Sequence, residues 1–244
     1  MRDMDYYKGM DARYWNGNMP PGYDFKYAGI KISQGTSHSG IDYTMPRRQW
    51  QLCPEQGIDR LPFHFWKGSV LKDPREHGYE QAELFYETTI GLNLGLGELP
   101  PAIDVESFPV NKGLRHIMNI FYCLERTKEL WGKEPLVYTA RWAWDPNIVP
   151  YHNYNGGQFK PYRLYKLWES DPPPDTDEPG EWLKSDVVIR QVELDAQYPG
   201  FNARIDINWA DKEWYDRQIG EAPAFESAVV EVKVTQGEAE IVVV

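Results

Sequence analysis

Residues Pro100 to Thr139 read PPAIDVESFPVNKGLRHIMNIFYCLERTKELWGKEPLVYT, and this stretch decides the fold class. Ala102-Ile103-Asp104-Val105-Glu106 is a short apolar run carrying two acids, bounded by Pro100-Pro101, and reads as a strand. Beyond it Leu114, Ile117, Met118, Phe121, Leu124 and Trp131 fall along one stripe, as in a helix buried on one face. Gly132 stands where such a helix is expected to stop. Pro135-Leu136-Val137-Tyr138-Thr139 is the next strand. A strand, a helix and a strand in succession point to an α/β fold with parallel pairing.

The alternation continues in both directions. Toward the N-terminus lie Gly9-Met10-Asp11-Ala12, the run Tyr27 to Ser33, a helical segment with Arg47, Arg48, Trp50 and Leu52 that ends near Gly57, and Leu61 to Trp66. After Pro74, the residues Ala82, Phe85, Tyr86, Thr89 and Ile90 recur at helical spacing. Toward the C-terminus lie Tyr165 to Trp168, Val187 to Val192 and Arg204 to Asn208. Strand candidates at this spacing, several separated by helices, imply a closed parallel (β/α) barrel of TIM-like type over residues 1–220. The helical signal weakens over 143–164 and 170–186, so the second half should be irregular, and Asp171-Pro172-Pro173-Pro174-Asp175 reads as a loop. Residues 221–244 differ: a linker-like Glu-Ala-Pro-Ala-Phe leads into two alternating stretches that read as a hairpin about Gln236-Gly237. A lone hairpin is marginal. This tail is expected to dock on the barrel or a partner, or to open a further domain.

The chain of 244 residues carries 26 lysines and arginines against 37 acids, a net charge of −11. A nucleic-acid partner would need a basic face, so none is expected. Mean hydropathy is −0.63, and no apolar run is long enough to span a bilayer, so no membrane partner is expected either. The start, Met-Arg-Asp-Met-Asp-Tyr-Tyr-Lys, has no apolar core of the kind a secretory signal needs. Cys53 and Cys123 stand alone and read as buried structural thiols. His38, His77, His116 and His152 lie in polar or loop context without metal-binding spacing, so no metal and no cofactor are expected. The 10 tryptophans and 16 tyrosines are ordinary core material that also suits a sugar-binding cleft.

In a barrel of this kind chemistry sits at the C-terminal ends of the strands, and four acids occupy such positions: Asp11, Asp104, Glu106 and Asp206. Taken singly, each reads as a solvated or salt-bridged strand end. Asp104 and Glu106 are different, because residues two apart on a strand point to the same face. Burying two carboxylates in an otherwise apolar run costs several kcal/mol unless they are paired or used. Neighbouring carboxylates repel, which keeps one protonated near neutral pH, as a general acid must be. Two carboxyls and an aromatic cleft are what glycoside hydrolysis requires. His64, within Phe63-His64-Phe65-Trp66, reads on its own as a satisfied histidine of the barrel wall.

Taken in order, these features resemble glycoside hydrolase family 25, the muramidase-type lysozymes that include many phage endolysins. The resemblance runs over roughly residues 8–218. It comprises Gly9-Met10-Asp11, Lys31 to Gly35 with Asp42, His64-Phe65, Gln81-Ala82 with Phe85, and Leu99 to Glu106. Pro135 to Thr139, Leu167-Trp168, Arg190-Gln191 and Ile205-Asp206-Ile207-Asn208 complete it. The chain departs from the family pattern at Phe63, Gln34 and Glu169-Ser170, none of them a catalytic carboxylate.

The resemblance implies an irregular barrel and an N-acetylmuramidase that cuts the β-1,4 bond after N-acetylmuramic acid in bacterial cell-wall peptidoglycan. It implies Glu106 as general acid/base and Asp104 as its partner, with retention through the substrate's own acetamido group. Asp11 and Asp206 would be further acids of the cleft, and Tyr138, His64, Trp168, Gln191 and Lys31 would meet the sugars. With no signal segment expected, endolysin-type release or another export route would bring the enzyme to the wall. Two alternatives stay open: a catalytically silent sugar-binding relative, and a virion-associated structural module on the same barrel.

Overall fold

The computed structural model of the chain describes residues 5–12, 24–38, 42–69, 71–91, 95–108, 113–151, 160–170, 178–180, 182–199, 201, 203–220, 230–235 and 238–243. Eight strands close into a barrel in sequential order: β1 (Tyr6–Ala12), β2 (Tyr27–Gln34), β3 (Asp59–Lys67), β4 (Ala102–Ser107), β5 (Leu136–Ala140), β6 (Leu167–Ser170), β7 (Val187–Ala196) and β8 (Ile205–Asp211). Helices α1 (Thr44–Glu55), α2 (Pro74–Gly91) and α3 (Gly113–Trp131) follow β2, β3 and β4, and the short α4 (Arg141–Asn147) follows β5. After that, among the described residues, only the 3₁₀ turns Val149–Tyr151, Pro161–Leu164 and Lys184–Asp186 appear as helical elements before α5 (Lys212–Gly220). The irregular second half is thus as expected; the loop expected at 171–175 lies outside the described residues.

Local chemistry accounts for the helix ends. The Asp73 carboxylate accepts the backbone N–H groups of Arg75 and Glu76 at 2.9 and 3.2 Å, and Pro74 takes the first position of α2. Helix α3 stops at Trp131 because Gly132 adopts φ +64, a conformation costly for any residue with a Cβ. Two apolar clusters result. One fills the space between barrel wall and helices and includes Trp50, Trp66, Phe85, Ile117, Leu124 and Trp131. The other includes Leu61, Phe63, Ala102, Tyr138, Trp168 and Ile189 of the barrel strands. Burial of each large side chain stabilises the fold by about 1.5–3 kcal/mol. Both cysteines are buried and unbridged.

The barrel is not wholly parallel, contrary to the sequence expectation. β1 through β7 pair in parallel, but β8 runs antiparallel to both β7 and β1. A parallel return needs a crossover of a dozen residues or more, and only residues 197–204 separate β7 from β8. The site depends on this reversal. Asp206 lies near the beginning of β8, not at a C-terminal strand end, and the reversed strand pairs it with Asp11 of β1. In the tail, β9 (Val230–Thr235) and β10 (Glu238–Val243) pair antiparallel about residues 236 and 237.

Candidate active site

Asp104 and Glu106 share one face of β4, as their spacing requires, with Asp104 buried and Glu106 half-buried. Across the strand pairings Asp104 neighbours Phe65 on β3 and Tyr138 on β5. An open cleft of about 220 Å³ is lined by Asp11, Phe63, Asp104, Tyr138 and Trp168. Trp168 is buried and meets the rings of Phe63 and Tyr138 edge-on, with centroids 6.1 and 5.0 Å away. Gly29 makes room for it: a Cβ there would lie 2.6 Å from the indole.

The buried polar groups form one chain of hydrogen bonds. Gln191 Nε2 and Asn208 Nδ2 both donate to Asp11 Oδ2, at 2.7 and 2.9 Å. Tyr138 Oη and Ser170 Oγ donate to Gln191 Oε1 at 3.0 and 2.6 Å, and Trp168 Nε1 donates to Asn208 Oδ1 at 2.8 Å. Each amide therefore donates to Asp11 while its oxygen accepts from side chains of β5 or β6, so the Asp11 oxygen is held as an acceptor. Burial raises the pKa of Tyr138 well above the usual phenol value, and the charges of Glu106, Asp11 and Asp104 raise it further. The phenol stays protonated and donating, within electrostatic reach of all three carboxylates.

Behind this network the β6–β7 edge is clamped by charge. Glu169, buried beside Trp168, pairs with Arg190, and the same guanidinium reaches Glu178 at 2.9 Å. Glu169 and Arg190 are register partners next to the pair Ser170 and Gln191. The register shifts between Leu167 and Trp168, and a slip of one residue would turn Ser170 and Gln191 away from the cleft.

The structure brings Asp11, Asp104, Tyr138, Trp168 and Gln191 together, with Glu106 one step along β4. Lys31 is half-buried on β2, its amine 4.2 Å from the Phe65 ring centroid and 3.0 Å from Gln34 Oε1. Asp206 is half-buried beside Asp11, but its Oδ1 accepts the backbone N–H of Asp195 at 2.8 Å, and Asp195 adopts φ 54. That oxygen thus secures a left-handed residue near the end of β7. His64 is not brought into the cleft. It is fully buried against α2, with Nδ1 2.8 Å from Ser33 Oγ and Nε2 3.3 Å from Gln81 Oε1. Burial chiefly, with the Lys31 and His77 charges adding, lowers its pKa to about 3.

His77 and His116 are buried on α2 and α3 rather than set in polar or loop context: His77 Nδ1 lies 3.1 Å from Asn119 Nδ2 of α3, and the His116 ring meets Trp66 of β3 edge-on at 5.6 Å. His152 lies outside the described residues. Sequence reasoning missed Asn208 and Ser170 as members of the network. The signal for Asn208 was present, since it stands two residues from Asp206 and must share its face.

Residues 5–168 match the family model of Glycosyl hydrolases family 25. The chain belongs to this family. Solved structures agree on the fold. The spore cortex lytic enzyme SleM of Clostridium perfringens is similar with a TM-score of 0.67 at 18% identity, over 86% of this chain and 68% of that one. A family 25 glycosyl hydrolase from Bacillus anthracis gives 0.61 at 20% identity, covering 89% and 95% of the two chains. A muramidase from Acremonium alcalophilum gives 0.62 at 17% identity, covering 88% and 100%. Among curated proteins, the uncharacterized YegX of Escherichia coli K12 is 25% identical over 132 residues, which are 54% of this chain and 44% of that one. The chain therefore spans less than half of that relative, and the family model stops at Trp168, before Gln191 and Asn208.

Proposed function

We propose that the chain is a peptidoglycan hydrolase that cleaves the β-1,4 bond between N-acetylmuramic acid and N-acetylglucosamine in the bacterial cell wall. The observation that carries this reading is the same-face pair Asp104 and Glu106, opening on an aromatic cleft beside a third carboxylate held by two amides. Glu106, the less buried of the pair, protonates the glycosidic oxygen as that bond breaks. Asp104 orients the acetamido group, whose carbonyl oxygen attacks the anomeric carbon and forms a cyclic intermediate. Glu106, now a carboxylate, takes a proton from the water that opens the ring, and configuration is retained. Trp168 and Phe63 form an apolar floor for the sugar, and Tyr138 holds the Gln191 amide in place. Release onto the wall by an endolysin-type route belongs to the same reading, as does a barrel that ends near Gly220 and keeps its activity without residues 221–244.

Purified peptidoglycan is the test. Turbidity should fall, and mass spectrometry should place new reducing ends on N-acetylmuramic acid. NMR of fresh digests should show the β-anomer first. New ends on N-acetylglucosamine would reject the assignment, and an initial α-anomer would replace acetamido participation by an activated water. Loss of activity on truncation at Gly220 would make the tail part of the enzyme.

A further inference from the structure

A second groove lies at the other end of the β1–β8 ladder. Asp11 pairs with Asp206 at the cleft end, whereas Tyr6 pairs with Asp211 five positions earlier along β1, about 17 Å away at strand rise. The groove encloses about 840 Å³ of open space on the outer wall of β7, β8 and the start of β1. It exists because β8 is reversed: a parallel return would have laid a crossover helix over this wall, and among the described residues the segment entering β7 supplies the turn Lys184–Asp186 and no longer helix.

Its lining pairs flat rings with cations. Tyr6 is 40% exposed and stacks on Trp209, with ring centroids 6.1 Å apart and planes at 29°; Trp214 lines the same groove. Lys166, Lys184 and Arg217 stand around this shelf together with Asp211 and Glu213, and Lys166 is held by Asp186 at 3.0 Å. Lys184 is exposed and has no ion-pair partner among the described residues. Arg217 meets Glu213 at 3.3 Å, with the two side chains 58% and 88% exposed, a pair that binds weakly and can exchange partners. In a chain of net charge −11, lysines and arginine beside an exposed aromatic shelf are chemistry for a sugar ring that bears a carboxylate. The ring's C–H face stacks on the aromatic shelf, and the carboxylate meets the cations.

We infer that this groove binds a second stretch of acidic cell-wall glycan, holding the acidic barrel on an insoluble polymer while the cleft works elsewhere on it. The inference rests on the proposed peptidoglycan substrate. Tyr6→Ala and Lys184→Glu change exposed groups remote from the cleft. Co-sedimentation with purified insoluble sacculi is measured in the Glu106→Gln background, so that the polymer survives. Each substitution should lower binding, together by about tenfold, the scale of one aromatic contact and one charge. In the otherwise wild-type protein the rate on sacculi should fall similarly, while the rate on a soluble tetrasaccharide of the same repeat stays within about twofold. Unchanged co-sedimentation, or an equal loss on the soluble substrate, overturns the inference. If Tyr6→Ala lowers the melting temperature, Lys184→Glu alone decides. Should the wild type cut neither substrate, the proposed activity fails, and sedimentation still judges the groove.

Discussion

Two polar clusters are buried on opposite sides of the barrel wall. Inside, Asp11, Asp104 and Glu106 gather around Tyr138, Gln191 and Asn208 at an open cleft. Outside, between β3 and helices α2 and α3, Ser33, His64, Gln81, Asn119 and Trp66 form a closed network. There Gln81 Oε1 also takes the Lys67 backbone N–H at 2.8 Å, and Asn119 Oδ1 takes the Trp66 indole N–H at 2.6 Å. The outer cluster is built from neutral groups whose donors and acceptors match, which rigidifies a core. The inner one concentrates carboxylates around a neutral phenol, whose pKa burial and their charges raise. Buried polarity serves packing on one side and lines the cleft of the proposed chemistry on the other.

The sharpest break between them is Glu106→Gln. The amide keeps the shape and removes the exchangeable proton, so activity on peptidoglycan should drop by about 10²–10⁴-fold, while the melting temperature stays near that of the wild type. Retention of a tenth of the rate would move the acid elsewhere. A stability effect comes next. Arg190→Met leaves Glu169 buried with its cation gone and should destabilise the fold by about 3 kcal/mol in urea unfolding. The double variant Arg190→Met, Glu169→Gln should recover part of that loss. Additive losses would mean that the pair does not hold the β6–β7 edge.

How these clusters divide was only partly legible in the sequence. β4 and β5 were readable because two acids interrupt an apolar run and a one-sided helix joins the strands. The face of His64 was not, because Phe63, His64, Phe65 and Trp66 are largely buried, so no polar alternation marks which side meets the barrel axis. Ring contacts show that Phe63 faces Trp168 and that its neighbour His64 faces Phe85 of α2. The reversal of β8 was equally hidden, since side-chain alternation has the same period in either strand direction. Asp206 reached the expected rim for a reason other than the one its position suggested. Ser170 and Asn208 needed the closed barrel, because their partners are 21 and 197 residues away.

The outer cluster predicts a pH dependence that the inner one need not share. His64 has a folded pKa of about 3 against an ordinary 6.5, and burial lowers His77 in the same direction. Between those two values the unfolded chain binds the His64 proton and the folded chain does not, so stability is full above about pH 6.5 and declines as pH falls below it. The slope is about 1.4 kcal/mol per pH unit for one group, or about 2 kcal/mol by pH 5. Urea unfolding at pH 7 and pH 5 measures it. His64→Phe should flatten the dependence whatever its effect at pH 7; an unchanged slope would assign the acid sensitivity to other groups.

The smallest effect probes the floor beneath the cleft. The Tyr27 ring is fully buried inside the barrel against Gly9, and its hydroxyl has no hydrogen-bond partner among the described residues. Burial, then the Asp11 charge, raises its pKa well above the usual value, so the group stays neutral without gaining a bond from that charge. An unsatisfied buried hydroxyl costs about 1–3 kcal/mol, and removing it with shape preserved is neutral or stabilising. Tyr27→Phe should therefore raise stability by up to about 1 kcal/mol, read from the urea midpoint at unchanged slope. Activity should change little, because Asp11 keeps its bonds to Gln191 and Asn208. A loss of stability would show that a water satisfies the hydroxyl, joining the floor to the inner cluster instead of to the apolar core.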